Sequence, residues 1–199
     1  PGLLREYEFQ QTLQGRPELK ESLALLSTTL QERVASAPFA ARLVERLGLI
    51  EQSSEEFQKL TSFLLFVGSE ILTFLIEELR RLADKHVRAK LASMITTICL
   101  QWGAKPLVEA LKDEDYFLVS QVIPILGNLG SAEFVEPLVP LLRHKHERVR
   151  EAARRVLAKL GGEEARDAIA AFLISTDETE EAKQAATALS LMNQAGVDM

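Results

Sequence analysis

The sequence has little of the residue types that mark secreted, membrane or metal-binding proteins. Cys99 is the single cysteine among 199 residues, so the chain cannot form a disulfide framework, and a reducing cytoplasm is its simplest location. No apolar run approaches the roughly 20 residues that cross a bilayer, and the N-terminus shows no signal-peptide pattern. Aromatic residues make up 6% of the chain, which suits helices packed through small side chains. We therefore expect a cytoplasmic protein without a membrane segment.

An excess of positive charge is also missing. The formal net charge is −6, which argues against a general affinity for nucleic acids. The charge is uneven, however, because residues 143–159 have a local charge of +5 and residues 162–181 one of −6. These blocks either solvate and steer the packing of neighbouring units, through pairs such as Glu151–Arg155, or form a functional basic patch. We favour the first interpretation.

Groups able to carry catalysis are few and poorly grouped. His144 and His146 flank Lys145 without accompanying cysteines or suitably spaced carboxylates, so we interpret them as surface loop histidines rather than a metal site. Cys99 lies thirteen residues after His86; it is either a nucleophile paired with that histidine or, as we favour, a packed thiol. There is no glycine motif of the kind that binds phosphate. We predict no catalytic residue, no metal, no cofactor and no enzyme activity.

What the chain does contain is an internal repeat. The segments that begin at Pro106 and Pro137 align without a gap at an offset of 31 residues. The identical pairs fall at apolar and helix-ending positions, other apolar positions such as Leu118/Val149 keep their type, and solvent-type positions such as Ser120 and Glu151 differ. A period of this length indicates stacked helical units that bury their apolar faces only against their neighbours. The identical pairs are Pro106/Pro137, Leu107/Leu138, Val108/Val139, Leu111/Leu142, Leu126/Leu157, Leu129/Leu160 and Gly130/Gly161.

Each unit is predicted to contain two helices. Between Val149 and Leu160, apolar residues follow the i, i+3, i+4, i+7 spacing of one buried stripe, and Gly161 ends this second helix. The first helix, about Ala132 to Leu142, contains Pro137 and Pro140, so we expect a kink there. Extending the period predicts antiparallel helix pairs over residues 71–102, 104–129, 132–160 and 163–194.

The N-terminal part is less regular. We divide the chain into residues 1–52, a helical segment that is either a cap or a partial repeat, and residues 53–199, the repeat domain. From Pro17 to Ala37, leucines and Val34 recur at helical spacing, which predicts a long amphipathic helix. This helix either caps the stack or pairs with another chain. Because the sequence begins with Pro1 rather than methionine, we expect it to be part of a longer protein.

These units resemble a known family. A proline-bearing first helix, a polar turn, a Val-Arg entry into the second helix and a terminal Leu-Gly make residues 53–196 similar to HEAT repeats. Val87-Arg88 and Val149-Arg150 match the Val-Arg step, whereas Val119 replaces the arginine in the middle unit and breaks any arginine ladder. The run from Asp115 also resembles bacterial HEAT-like proteins. The resemblance implies an all-α fold, a right-handed α-solenoid of antiparallel helix pairs, and macromolecular binding as the function.

The resemblance also implies that the second helices line an inner, concave wall. Polar residues of successive second helices are then candidates for binding a peptide, a helix or an acidic segment of a partner protein. Arginine is the expected anchor, because its planar guanidinium group makes forked hydrogen bonds. The residues expected on this wall are Arg88, Ser93, Ser120, Gln121, Arg150, Arg154, Lys183 and Thr187, and we assign partner binding to Arg88, Ser120, Gln121, Arg150, Arg154 and Lys183.

Two functions compete. The favoured one is a non-catalytic cytoplasmic scaffold that binds a protein or peptide, or another domain of its parent chain. The alternative is a nucleic-acid-binding or base-processing protein that uses the basic strip 143–159.

Trp102 and Tyr116 either cover the ridge of the stack or form an exposed aromatic platform. Reversing the charges of Arg150 and Arg154 would weaken partner binding if they line the wall, and would destabilise the stack if they pair with the acidic block around Glu163.

Overall fold

The computed structural model describes residues 34–175 and 179–195 of the chain. These residues contain no β-strand, so the predicted all-α fold is confirmed. The helices are α1 (Ala37–Leu47), α2 (Glu55–Val67), α3 (Leu72–Arg81), α4 (Lys85–Trp102), α5 (Lys105–Ala110), α6 (Tyr116–Leu129), α7 (Val135–Leu138), α8 (Glu147–Leu160), α9 (Gly162–Ser175) and α10 (Thr179–Ala195). Short 3₁₀ segments precede α3 (Ser69–Ile71) and flank α7 (Ala132–Phe134 and Val139–Arg143).

The helices stack in two layers. The second helices of successive pairs, α2, α4, α6, α8 and α10, pack side by side in one layer. In the other layer α1 packs on α3, α3 on α5, and α9 on the 3₁₀ segment that follows α7. The layers contact each other as well, for example through α3 with α6 and through α8 with α9. The observed pairs coincide with the predicted ones, and the arrangement is that of a helical repeat protein.

One apolar core runs through all the pairs. It extends from Ala40 in α1 to Ala188 in α10. The aligned leucines Leu126 and Leu157 both have no exposed surface. Burial of such a side chain contributes about 1.5–3 kcal/mol. The stack is therefore held mainly by apolar contacts between neighbouring units.

The residues that precede α4, α6 and α8 lie at intervals of 31 residues. Asp84 caps α4 by accepting hydrogen bonds from two backbone N–H groups at 2.7 and 3.2 Å, and Asp115 caps α6 by accepting one at 2.9 Å. His146 takes the same position before α8 without a side-chain capping bond. The backbone donors, first that of His86, lower the pKa of Asp84. Such a carboxylate stabilises the positive end of its helix.

The first helix of the fourth pair is more broken than the predicted kink. Its α-helical part is limited to Val135–Leu138, and 3₁₀ segments lie on both sides of it. Pro137 and Pro140 lack the backbone N–H that an α-helical hydrogen bond requires, so the chain tightens into 3₁₀ turns. The corresponding helix of the third pair, α5, contains Pro106 in its first turn and is also short.

An ion-pair network joins the second and third pairs. Arg80, in the last turn of α3, donates to both carboxylate oxygens of Asp113 at 3.1 and 2.7 Å, to Asp115 at 3.2 Å and to Glu77 at 3.1 Å. The hydrogen bonds from Arg80 lower the pKa of the Asp113 carboxyl. This network fixes the turn between α5 and α6 against the preceding unit.

The N-terminal residues 37–52 join the same stack. α1 packs on α3 and α4, and its side chains Ala40, Leu43 and Leu47 belong to the common core. The division of the chain at residue 52 stays a prediction. Most of the predicted amphipathic helix from Pro17 to Ala37 lies outside the described residues.

No single helix in the described part of the chain is long and apolar enough to cross a membrane. α2 and Ser69–Arg81 reach that length and composition only together, and they are bent by 104° at the break between them.

Gly127 marks a close approach of α6 and α8. A Cβ added at this position would lie 2.9 Å from both Cγ atoms of Val156. We expect Gly127→Ala to destabilise the protein, because overpacking costs about 1–3 kcal/mol whereas the gain in helix propensity is about 0.5–1 kcal/mol. In a Val156→Ala background the added methyl group fits, so the same change should be stabilising. Urea unfolding of the four proteins measures the coupling, and additive effects would contradict this contact.

The Asp113 carboxylate gives the stability a specific pH dependence. Its folded-state pKa lies below the unfolded value of about 3.9, so its contribution is present above that pH and is lost as the pH falls through the lower folded value. Asp113→Asn should therefore reduce the free energy of unfolding by about 1–2 kcal/mol at pH 7, and by less as the pH falls below about 4. Unfolding curves from pH 7 to pH 2 test this, with the exposed Glu109→Gln as control. If the difference in unfolding free energy between wild type and Asp113→Asn stays the same at every pH, the Asp113 carboxylate is not responsible for it.

Candidate partner-binding surface

The exposed side of α8 carries a line of cations. Arg148, Arg155 and Lys159 are exposed, and their spacing of i, i+7 and i+11 places them on one face of the helix. That face lies opposite the buried side chains Ala153 and Leu157. Lys159 Nζ also donates to Oδ1 of the exposed Asn128 on α6 at 2.8 Å.

A groove of about 500 Å³ lies between α8 and α10. Four of its lining residues are Lys or Arg and one is Glu, so the groove is net cationic within an acidic chain. Its volume falls in the range of ligand-binding pockets. Three of the residues predicted for the wall, Arg154, Lys183 and Thr187, meet here. The lining residues are Glu151, Arg154, Arg155, Ala158, Lys159, Lys183, Gln184, Thr187 and Ala188.

Arg154 borders this groove but is not an exposed side chain. It is 2% exposed, its guanidinium carbon lies 5.4 Å from the ring centroid of Phe172 in α9, and Nη2 donates to Oε1 of Gln184 in α10. Arg154 was expected on an open polar wall, and its burial shows that it is a packed side chain instead. It follows Ala153 of the buried stripe by one residue, about 100° around the helix, and the fifth helix pair covers that flank.

Arg88 and Arg150 have the same structural role in two repeats. Nη1 of each donates to the carbonyl oxygens six and five residues earlier, at 2.6 and 3.5 Å for Arg88 and at 2.9 and 3.2 Å for Arg150. The arginine of the Val-Arg step thus closes the turn between the two helices of its unit. Val119 cannot do this in the third pair, where the ion pair between Arg80 and Asp113 holds the turn instead.

The remaining wall candidates do not form a continuous polar surface. Ser120 is 5% exposed and donates to the carbonyl oxygen of Phe117 at 2.7 Å. Gln121 is half-buried and donates to Oγ of Ser120 at 3.2 Å, and Ser93 is also half-buried. The structure thus brings the predicted residues Arg154, Lys183 and Thr187 together and leaves those of α4 and α6 apart from them.

Cys99 and His86 do not form a nucleophile pair. Both lie in α4, and thirteen residues of helix separate them by about 20 Å. Burial raises the pKa of the Cys99 thiol to about 11, so the thiol is neutral at pH 7. The prediction of a packed thiol is confirmed.

The loop histidines belong to an aromatic cluster. The rings of His146 and Tyr116 stack with their centroids 4.0 Å apart, and His144 lies 5.6 Å from His146. Burial is the main cause of a lowered pKa at His144.

Trp102 ends α4 whereas Tyr116 begins α6, and the Trp102 indole donates to the carbonyl oxygen of Leu65 at 3.0 Å. These two aromatic residues therefore do not form one platform.

Sequence reasoning did not single out Arg148 or Lys159 as functional candidates. The signal that would have found them is the 31-residue alignment itself. Arg148 aligns with Phe117 and Lys159 with Asn128, and such changes of residue type fall outside the apolar stripe that the repeats share.

A comparison with family sequence models agrees with this architecture. A sequence model of HEAT repeats matches residues 104–190. None of the curated proteins compared with the chain matches it. A crystal structure of an engineered protein shares 21% sequence identity at a TM-score of 0.39, and the match covers 84% of this chain and 89% of that chain. A designed armadillo repeat protein in complex with a (KR)4 peptide shares 19% identity at a TM-score of 0.41, with 89% and 94% covered. At these low TM-scores neither likeness supports an argument about the site.

The described chain is an α-helical repeat protein, a class of fold that often binds peptides or proteins and is typically non-catalytic. Its residues 104–190 are similar in sequence to HEAT repeats.

The different burial of Arg154 and Arg155 gives a direct test of the site geometry. Arg154→Glu should lower the free energy of unfolding by about 3–5 kcal/mol, because it places a carboxylate in a buried position against Phe172. Arg155→Glu should cost less than about 1 kcal/mol, because the exposed pair of Arg155 with Glu151 contributes little. Chemical unfolding of both variants measures the difference, and equal stabilities would contradict the burial of Arg154.

Proposed function

We propose that this protein is a non-catalytic cytoplasmic scaffold that binds an acidic segment of a partner protein in the groove between α8 and α10. The observation that supports the proposal is the net cationic lining of the groove in a chain whose own net charge is −6. Charge complementarity of this kind selects an acidic partner and accelerates its association. The buried Cys99 and the absence of any second cysteine fit a reducing compartment.

The two sides of the groove have complementary roles in this proposal. Lys159 projects from α8 and Lys183 from α10, so an extended segment lying between the helices places carboxylates next to both ammonium groups. Ala158 and Ala188 are small apolar residues of the lining. They leave room for the backbone or an apolar side chain of the segment, which adds an apolar contribution to the electrostatic one.

The nucleic-acid alternative has less support. The basic strip 143–159 exposes one line of three cations, Arg148, Arg155 and Lys159, whereas its other arginines are engaged within the fold. Arg154 is buried, Arg150 donates to turn carbonyls, and Arg143 donates to Ser175. Neutralising a polyanion requires several accessible cations in a row.

A peptide titration tests the proposed function. A fluorescein-labelled (Glu-Leu)4 peptide should bind the protein, and the Lys159→Glu/Lys183→Glu variant should bind it at least about tenfold more weakly, since two attractive charges become repulsive. Fluorescence anisotropy measures the affinity, and thermal unfolding checks that the variant is folded.

Three controls define the outcome. The uncharged (Gln-Leu)4 peptide should bind weakly, and Lys105→Glu/Lys112→Glu, which reverses two exposed charges outside the groove, should leave the affinity within about twofold. Unchanged affinity in the folded groove variant would refute the site. Tight binding of a single-stranded oligonucleotide with a steep salt dependence, together with no binding of the acidic peptide, would favour the nucleic-acid alternative.

A further inference from the structure

Arg148 is an exposed cation that is held in place without using its hydrogen-bond donors. Its guanidinium carbon lies 5.1 Å from the centroid of the Phe117 ring, across the boundary between α8 and α6. Within the described residues it makes neither a hydrogen bond nor an ion pair. The ring attracts the guanidinium group as a cation–π partner and uses none of its N–H groups as hydrogen-bond donors to oxygen. The donors of Arg148 are therefore available to a ligand.

A second arginine shares the same ring. The guanidinium carbon of Arg88, from α4, lies 5.3 Å from the Phe117 centroid. Its Nη1 is already committed to turn carbonyls. Three successive second helices thus contribute to one cluster, in which two cations lie against the same ring. An anion placed beside Arg148 compensates part of this positive charge.

An exposed aromatic residue lies next in sequence to the ring that Arg88 and Arg148 share. Tyr116 precedes Phe117 at the start of α6 and is 41% exposed. Its ring is backed by the imidazole of His146, with 4.0 Å between the centroids. A side chain that packs on Tyr116 thus meets a ring that is already held in place, one residue before the Phe117 ring that Arg148 contacts. Rigid aromatic residues and arginine are the residue types enriched in binding hot spots.

We propose that Arg148, Phe117 and Tyr116 form a second partner-binding site, which takes a carboxylate of a partner peptide together with a neighbouring aromatic side chain. The carboxylate accepts a forked pair of hydrogen bonds from Arg148, and the aromatic side chain stacks on Tyr116. The site goes beyond the proposed groove, because none of these three residues lines it. Arg148 lies two helical turns from Arg155, so the two sites are separate contact points on α8.

The charge around the site favours a carboxylate over a phosphate. Arg148 makes no hydrogen bond within the described residues, whereas Nη1 of Arg88 donates to a carbonyl oxygen of the turn. Glu147, which precedes Arg148, is exposed and adds negative charge. One available guanidinium group beside a carboxylate matches a monoanion in charge and shape, and a phosphate dianion generally requires more cations.

The test uses a fluorescein-labelled peptide with the core Trp-Glu-Trp and its Trp-Gln-Trp counterpart. Wild type should bind the Glu peptide about tenfold more tightly, the usual size of one charge-assisted interaction. Arg148→Gln should abolish that preference. Phe117→Leu, which keeps an apolar side chain but removes the ring that orients Arg148, should reduce it. The matched control Lys145→Gln, which removes a neighbouring exposed cation, should change it less than twofold.

Each remaining result supports or overturns the proposal. Thermal unfolding should show Arg148→Gln to be as stable as wild type, and the Nε–Hε NMR signal of Arg148 should shift on addition of the Glu peptide. Binding of this peptide should be unaffected by Lys159→Glu/Lys183→Glu, so a failure of the groove does not count against this site. No preference for glutamate in wild type, an Arg148→Gln variant that retains the preference, or tighter binding of a phosphoserine peptide than of the Glu peptide would each overturn the proposal.

Discussion

The lateral packing of each second helix against the next is the contact on which the rest of the structure depends. A single pair of helices cannot enclose its own apolar stripe, so every unit relies on its neighbours for burial. Gly127 and Val156 show how closely two successive second helices approach, because the space for a β-carbon is already occupied. The 31-residue spacing keeps this contact in register from one unit to the next.

The turns between helices are held by a second, polar layer of contacts. In the second and fourth pairs an arginine of the second helix, Arg88 or Arg150, binds the carbonyl groups of its own turn. In the third pair Val119 stands at that position, and Arg80 of the preceding unit binds Asp113 instead. The turn is thus held in two different ways, by hydrogen bonds to its backbone carbonyl groups in the second and fourth pairs and by an ion pair between side chains in the third.

This packing determines where a partner is able to bind. A second helix is covered by its first helix and by both neighbouring second helices, so one narrow face remains accessible. On α8 that face carries Arg148, Arg155 and Lys159. Both proposed sites lie along it, one at the α6 boundary near the start of the helix and one at the α10 boundary farther along. A partner that engages both would gain affinity without new contacts at either site.

The sequence by itself determined the helix pairs, their order and the core. The apolar stripe from Val149 to Leu160 and its copy 31 residues earlier encode that pattern directly, because helical periodicity and burial are local properties repeated along the chain. The breakdown of the first helix around Pro137 into 3₁₀ turns was foreseen only as a kink, because the sequence shows that a hydrogen bond is missing but not how the backbone replaces it.

The accessible surface was decided by the tertiary structure. Arg154 and Arg155 are adjacent and chemically identical, yet the first is 2% exposed and the second is an exposed side chain. The helical period places both outside the buried stripe, and the neighbouring unit determines which flank is covered. The cluster of Arg88, Phe117 and Arg148 likewise joins side chains from three helices. The sequence alone determined which side chains repeat, whereas the packing of one unit on the next decided which of them a partner reaches, because that packing is non-local.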